Sequence, residues 1–407
     1  MKGALVFISF LVLLVSCGPK QLPSMGNKTI SIFDNEHLFF GSGEFDTAVD
    51  LNTDDVVRIM SGRILLKKVQ LPNYQRDVST NLRITLASAG DRWDKSGSCF
   101  VLSNSDLKNF ISFHNKTDSL ADAAPGLENL KGIVSEEGYS PVVELMRFMT
   151  PFGIGFYNEQ MDNRKPVYIP HWEKEVHWDE DVSDCLSLLE GEVWIGIWVD
   201  TWTKEGYSVS AELVFEESPC QYLAKTETQV LPLLNTIPYV NGQVHADIFS
   251  RKDLVFEAQI PEGVKNLRLK YITTGHGGHS GGDEFVPCQN IIKIDGKEVL
   301  NMLPWRDDCA SFRRFNPGSG VWLITDTAAY IDWNKGKYAE KVIEERLASS
   351  DLSRSNWCPG SMVDPYEVAL DLPAGIHQFT ISIPDAQPID ENEMNHWLVS
   401  AYLVWDK

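Results

Sequence analysis

The chain has 407 residues, 57 of them acidic and 36 basic, for a net charge of −21. That balance disfavours nucleic acid and anionic membrane surfaces as partners. After the first residues, no stretch is long and apolar enough to form a membrane helix.

Lys2 followed by the short apolar run Ala4 to Val15 reads as an export signal, too short to span a bilayer stably. The run ends Leu14-Val15-Ser16-Cys17-Gly18. Small residues just before a cysteine match a bacterial lipobox, in which Cys17 is acylated. The other reading is an ordinary signal with a chance cysteine; the position, the spacing and the polar tether at 18–28 favour the lipobox. Acyl chains anchor a protein without spanning the membrane. The expectation is an exported bacterial lipoprotein of the outer membrane, facing the periplasm or the cell surface.

From residue 29 onward, short β-type runs alternate with turn residues. Gly62 to Leu66, Asn81 to Leu86, Val193 to Val199 and Tyr207 to Phe215 come first. Leu267 to Tyr271, Ile291 to Lys297, Phe379 to Ile383 and Trp397 to Trp405 follow. Several alternate apolar and polar residues, as half-buried antiparallel strands do. Asp295-Gly296 is a hairpin turn signal. Many short strands with regular turns predict sandwiches or jelly rolls. Tyr338 to Ala348 is expected as one short helix, and residues 113–140 as a polar insertion with at most one helical turn. About 390 residues after the leader exceed one usual core, so two domains are expected. The boundary is placed near Glu217-Ser218-Pro219-Cys220, giving 29–220 and 221–407.

Six cysteines remain after Cys17: Cys99, Cys185, Cys220, Cys288, Cys309 and Cys358. An even count in an oxidising compartment permits disulfides. No CxxC occurs, which disfavours a zinc ribbon. Twelve tryptophans suit both sugar stacking and sandwich cores.

Four segments place carboxylates or cations beside aromatic rings at strand ends, where a rigid sandwich can position functional loops. They are Gly90 to Lys95, Val199 to Trp202, Thr273 to Phe285 and Ser353 to Gly360. Hydrolysing an amide or a glycosidic bond needs a carboxylate that moves protons or orients water. Asp94 beside Trp93, and Asp200 near Trp202, supply carboxylate and ring together. Turn acids and core tryptophans would give the same pattern, because Asp is ordinary in turns. In the third segment, His276 and His279 lie three apart, near Asp283 and Glu284. A single HxxH in a loop is a weak metal signal. The five glycines there suit close approach of the backbone to a ligand or to another chain segment.

Together these segments resemble the peptide-N-glycosidase F family. The matching motifs are Asp91-Arg92-Trp93-Asp94, Arg147-Phe148-Met149-Thr150-Pro151, Asp200-Thr201-Trp202, Tyr207-Ser208-Val209, Glu284-Phe285 and Arg354-Ser355-Asn356-Trp357-Cys358-Pro359-Gly360. They run in family order over nearly the whole mature chain. The resemblance implies an all-β fold of two tandem antiparallel eight-stranded jelly-roll sandwiches packed side by side, with the active site in the cleft between them. It implies hydrolysis of the glycosylasparagine amide, no metal and no cofactor, and N-glycosylated proteins or glycopeptides as partners of a monomer. Asp94 would be the principal acid-base residue. Glu284 would hold the reacting group or its water, and Asp200 would assist at sugar hydroxyls. Trp93, Lys95, Trp202, His276, Arg354 and Trp357 would bind substrate. The family also implies a Cys309–Cys358 disulfide.

Three departures bear on substrate orientation. Asp200 stands where the best-known member of the family has glutamate, one methylene longer. Lys95 replaces an arginine and loses a bidentate contact. Only Cys288 remains of the cysteine pair that flanks the family's second-domain glutamate. Two other readings fit the same fold. One is a non-catalytic glycan- or protein-binding surface lipoprotein. The other is a copper-dependent monooxygenase, which would need histidine sets in both domains; His37, His114, His171 and His177 offer no close pair in a strand.

Overall fold

A computed structural model describes residues 21–45, 47–50, 52–102, 110–116, 132–135, 139–153, 169, 171–238, 248–277, 282–389 and 394–407. Cys17 and its signal run, His279, and most of the 113–140 insertion lie outside the described residues.

The first half contributes nine strands: β1 (Lys28–Leu38), β2 (Val57–Ile59), β3 (Ile64–Leu71), β4 (Val78–Ser88), β5 (Ser96–Val101), β6 (Val143–Met149), β7 (Glu175–Asp181), β8 (Gly191–Val199) and β9 (Tyr207–Glu217). The second half contributes eleven. These are β10 (Thr228–Asn235), β11 (Leu254–Ile260), β12 (Lys265–His276), β13 (Asn290–Ile294), β14 (Lys297–Met302), β15 (Val321–Asp332), β16 (Lys337–Ala348), β17 (Met362–Val363), β18 (Tyr366–Ala369), β19 (Gly375–Ser382) and β20 (His396–Asp406).

In the first sandwich, the sheet β1-β9-β4-β7 faces the sheet β17-β6-β5-β8-β3-β2. In the second, β10-β20-β12-β18 faces β11-β19-β13-β14, which is the expected eight strands. All pairings between these strands are antiparallel. β4 shows why the sequence folds this way. Val78, Thr80, Leu82, Ile84 and Leu86 are buried, and the residues between them face outward. Such alternation is what a one-sided sheet selects.

The two halves are stitched by three devices. β17 leaves the second half and pairs with β6 through Met362–Phe148 and Val363–Arg147. Ile272, Trp357, Val363, Tyr402 and Val404 pack into the first half's apolar core. Beneath them lies a buried ion pair. Arg147 donates to both carboxylate oxygens of Glu144 at 2.9 and 2.7 Å, and its Nη1 also donates to Thr274 Oγ1 and Leu398 O across the seam. A fully buried pair holds only when such extra hydrogen bonds satisfy it.

Two described stretches of the insertion show how it is held. Phe110–His114 is a helical turn. Residues 133–135 bond to the edge strand β10, through Asn235 N to Ile133 O and Ser135 N to Leu233 O, and Ile133 and Val134 join the second core. This first-half segment thereby covers an open edge of the second half.

The expected helix at Tyr338 to Ala348 is a correction. These residues form β16, paired over its whole length with β15. The turn between them holds Gly336 at φ 63°, which closes a local hairpin. Pairing with the β-branched partner strand outweighs a weak helical preference of the Glu- and Lys-rich strand.

Candidate active site

The strand registers bring four loops to one place. β5 pairs with β8 through Gly97–Val199 and with β6 through Ser96–Met149. The loop before β5, the loop after β8 and the residue after β6 therefore meet at one sheet end. Asp200 N bonds to Ser96 O, and Thr150 N to Lys95 O, both short.

Asp91 clamps the two acid-bearing loops together. It is fully buried; Oδ1 accepts from Trp93 N and Oδ2 accepts from Thr201 Oγ1 at 2.7 Å. Tyr207 Oη donates to Trp93 O at 2.7 Å, and Thr150 Oγ1 receives Lys95 N at 2.8 Å. Asp94 is thus held by a rigid backbone.

From the second half, β12 runs to His276, and a tight turn then presents Glu284. Val286 N and Phe285 N bond to Gly282 O within the turn, and Ser355 N bonds to Glu284 O. A Cβ on Gly275 would meet Asp283 O at 2.6 Å, and one on Gly277 would meet Met394 O at 2.1 Å. The glycines serve the packing of chain against chain. Ser355 also places its neighbour Arg354 against the turn.

Arg354 is the centre of the arrangement. Its Nε donates to Glu284 Oε1 at 2.8 Å, Nη1 to Leu352 O and Nη2 to Ser349 O. Nη2 stands 3.8 Å from Asp94 Oδ2. Two carboxylates from different halves therefore share one buried guanidinium. Burial raises the Asp94 carboxyl, against the pull of Arg354 and Lys95. Burial and the Asp94 charge push Glu284 up to about 8, against the same guanidinium. Two like charges beside one cation retain a proton between them at neutral pH, and the pair titrates as a unit.

Asp200 sits at the outer lip. It accepts from Arg63 Nη1 at 3.3 Å and from Trp202 Nε1 at 3.1 Å. The Arg63 guanidinium lies 4.2 Å from the Trp202 ring centre, and Phe40 flanks the same indole. Trp202 is 56% exposed and Trp93 47% exposed, with Arg92 over the latter. Exposed indoles held by cations offer flat apolar faces beside carboxylates, which is how sugar rings are gripped.

Three of the expected substrate-binding residues are buried. Trp357 is buried, donates Nε1 to Gly275 O, and is covered by Arg354 and His276. It has no face for a sugar and forms the floor under Arg354. His276 is also buried, bonded to Thr274 Oγ1 and stacked on His396. Burial pushes its pKa well below the usual range, so the ring is neutral. Arg354 spends its donors on Glu284 and two carbonyls, so it orients carboxylates. Cys309 and Cys358 are joined by a disulfide that ties the 309–315 turn to this floor. Arg63 was missed by sequence reasoning; an arginine in the turn just before β3, after Gly62, carries no signal of its own.

A tandem jelly roll whose halves each deliver one half-buried carboxylate to a shared arginine, beside exposed indoles, defines the class: a two-domain β-sandwich protein with a seam site. Residues 29–215 match the family model Peptide-N-glycosidase F, N terminal, and residues 245–404 match Peptide-N-glycosidase F, C terminal. The chain belongs to the peptide-N-glycosidase F family. Among solved structures it is similar to PNGF-II, at 32% identity and TM-score 0.76 over 93% of this chain and 65% of that one in one crystal form, and at 30% identity and TM-score 0.75 in another. It thus spans about two thirds of the PNGF-II chain. It shares a fold with PNGase F of Flavobacterium meningosepticum, a glycosylasparaginase, at 15% identity and TM-score 0.57 over 94% and 96% of the two chains. No curated protein matches the chain.

Proposed function

We propose that the chain hydrolyses the amide that joins an N-linked glycan to asparagine. One observation carries this reading: Arg354 holds Glu284 at 2.8 Å and stands 3.8 Å from Asp94, so two carboxyl groups from the two halves face one guanidinium at the seam. Amide hydrolysis needs a group that accepts a proton from attacking water and a group that protonates the departing nitrogen. The ionised member of the pair takes the water proton as oxygen bonds to the carbonyl carbon. The protonated member delivers its proton to nitrogen as the C–N bond breaks. Asparagine becomes aspartate, and the glycosylamine leaves with the glycan intact. Arg354 fixes both carboxylates and steadies the charge. Trp93, Trp202, Asp200 and Arg63 hold the sugars next to the amide, and Lys95 lies beside Asp94. The substrates are N-glycosylated proteins or glycopeptides.

The test is the product. A purified glycopeptide should yield an intact free glycan and an aspartyl peptide, about one mass unit heavier than the same peptide with unglycosylated asparagine. Glycosidic cleavage would leave an N-acetylglucosamine on the peptide and contradict the reading. We also propose, from Leu14 to Cys17, that the chain is exported and acylated at Cys17. Palmitate labelling of the parent that is lost in Cys17→Ala supports this; equal labelling contradicts it.

A further inference from the structure

The β15–β16 hairpin has no place in the chemistry above. Each strand runs twelve residues, about 40 Å at 3.3 Å per residue. Among the described residues the two strands pair only with each other. Both outer edges therefore present backbone donors and acceptors without a strand partner. The surface is unusually apolar: Trp333 is 84% exposed, Tyr338 80%, Val342 73% and Leu323 60%. A long exposed apolar edge is a liability that proteins normally blunt or cover.

The root of the arm is the site itself. β16 ends at Ala348, and the next carbonyl, Ser349 O, accepts from Arg354 Nη2. Leu352 O accepts from Nη1 of the same guanidinium. At the other root, Asn316 donates to Pro359 O and accepts from Phe152 N, beside the 358–360 floor. The end of β16 therefore lies next to the guanidinium that holds the carboxylate pair.

Chemistry narrows the occupant. Unpaired edge groups at strand spacing match another polypeptide backbone; a glycan or a lipid headgroup does not repeat at that interval. Residues 321–348 carry five acids and four bases, close to balance in a chain of net charge −21. That suits peptides of mixed sequence and gives no attraction to an anionic bilayer. We propose that the arm docks the extended polypeptide flanking the scissile asparagine, which adds a strand along the β16 edge. The inference rests on the amidase reading and names the part of the substrate that the indoles do not hold.

The test uses the full chain carrying Cys17→Ser, so that no acyl chain contributes. In one variant a short Gly-Asn turn replaces residues 323–346; in a second, which leaves the arm in place, Tyr338→Ser and Val342→Pro remove side-chain grip and one edge donor. Glycan release is measured on a glycopeptide with one residue on each side of the asparagine and on a long one. KM for the long substrate should rise at least about tenfold in both variants, with kcat and the short substrate unchanged. Parallel changes on both substrates, or none on either, overturn the proposal. If the parent releases glycan from neither, the amidase reading falls and the arm is judged by anisotropy of the long unglycosylated peptide. Binding lost in both variants supports the arm; no binding by the parent overturns it. Arm-dependent binding to phosphatidylcholine or phosphatidylserine vesicles without peptide binding, or an arm-dependent dimer, also overturns it.

Discussion

Arg354 Nε lies 2.8 Å from Glu284 Oε1, seventy positions earlier in the chain. The same guanidinium faces Asp94, and it opposes the burial that raises both carboxyls. Glu284 is pushed up to about 8 by burial and by Asp94. Activity that needs the shared proton should fall as pH rises through about 8. Glu284→Gln should lower kcat and remove that basic limb. An unchanged limb would assign the titration to another group.

The same shift has a stability consequence. Glu284 in the folded chain keeps a proton that a glutamate at the ordinary value of 4.5 has lost. The folded state therefore binds more protons between about 4.5 and 8, and this residue costs stability progressively as pH rises across that window. Thermal melts of Glu284→Gln should match the parent at pH 4 and exceed it at pH 9. A constant difference over the range would contradict the assignment.

Sandwich strands such as β4 and β9 were legible because alternate residues are buried one by one. β16 was misread because exposed strands lack that signature: Glu344, Glu345 and Arg346 all face solvent. Asp94, Glu284 and Arg354 were each legible as loop residues beside aromatics. Their convergence was expected only through the family resemblance, since in the chain it accompanies β17 crossing the seam to β6. The sequence also cannot separate an aromatic floor from an aromatic platform. Trp357 and Trp202 occupy the same kind of loop, yet only Trp202 meets solvent.

The buried pair at the seam should be expensive to break. Arg147→Met leaves Glu144 charged and unpaired, with Thr274 and Leu398 losing their donor. Such losses cost about 3–5 kcal/mol. Urea midpoints should fall accordingly, whereas the double variant Arg147→Met/Glu144→Met should recover much of the loss. Equal destabilisation of single and double variants would show that the pair's charge is not what matters.

The outer lip should affect binding more than chemistry. Trp202→Ala removes the indole that Arg63 and Phe40 hold in place. KM for glycopeptides should rise about tenfold, a typical stacking loss of about 1.4 kcal/mol, with a smaller change in kcat. Trp357→Phe should instead lower the melting temperature and kcat together, because it disturbs the floor beneath Arg354.

The Cys309–Cys358 bond joins positions 49 apart and anchors the floor. Replacing both cysteines by alanine should cost about 2–4 kcal/mol. Activity should fall with it, since Trp357 lies next to Cys358. A variant of parental stability and turnover would remove the bond from this account.

The central claim is amide hydrolysis by Asp94 with Glu284. A single-turnover reaction on one glycopeptide in heavy-oxygen water tests it directly, comparing the parent with Asp94→Asn. The parent should give an intact glycan and an aspartyl peptide carrying one heavy oxygen, and Asp94→Asn should be slower by at least about 10²–10⁴-fold. A peptide that keeps an N-acetylglucosamine, an aspartyl peptide without the label, or full activity in Asp94→Asn would contradict it.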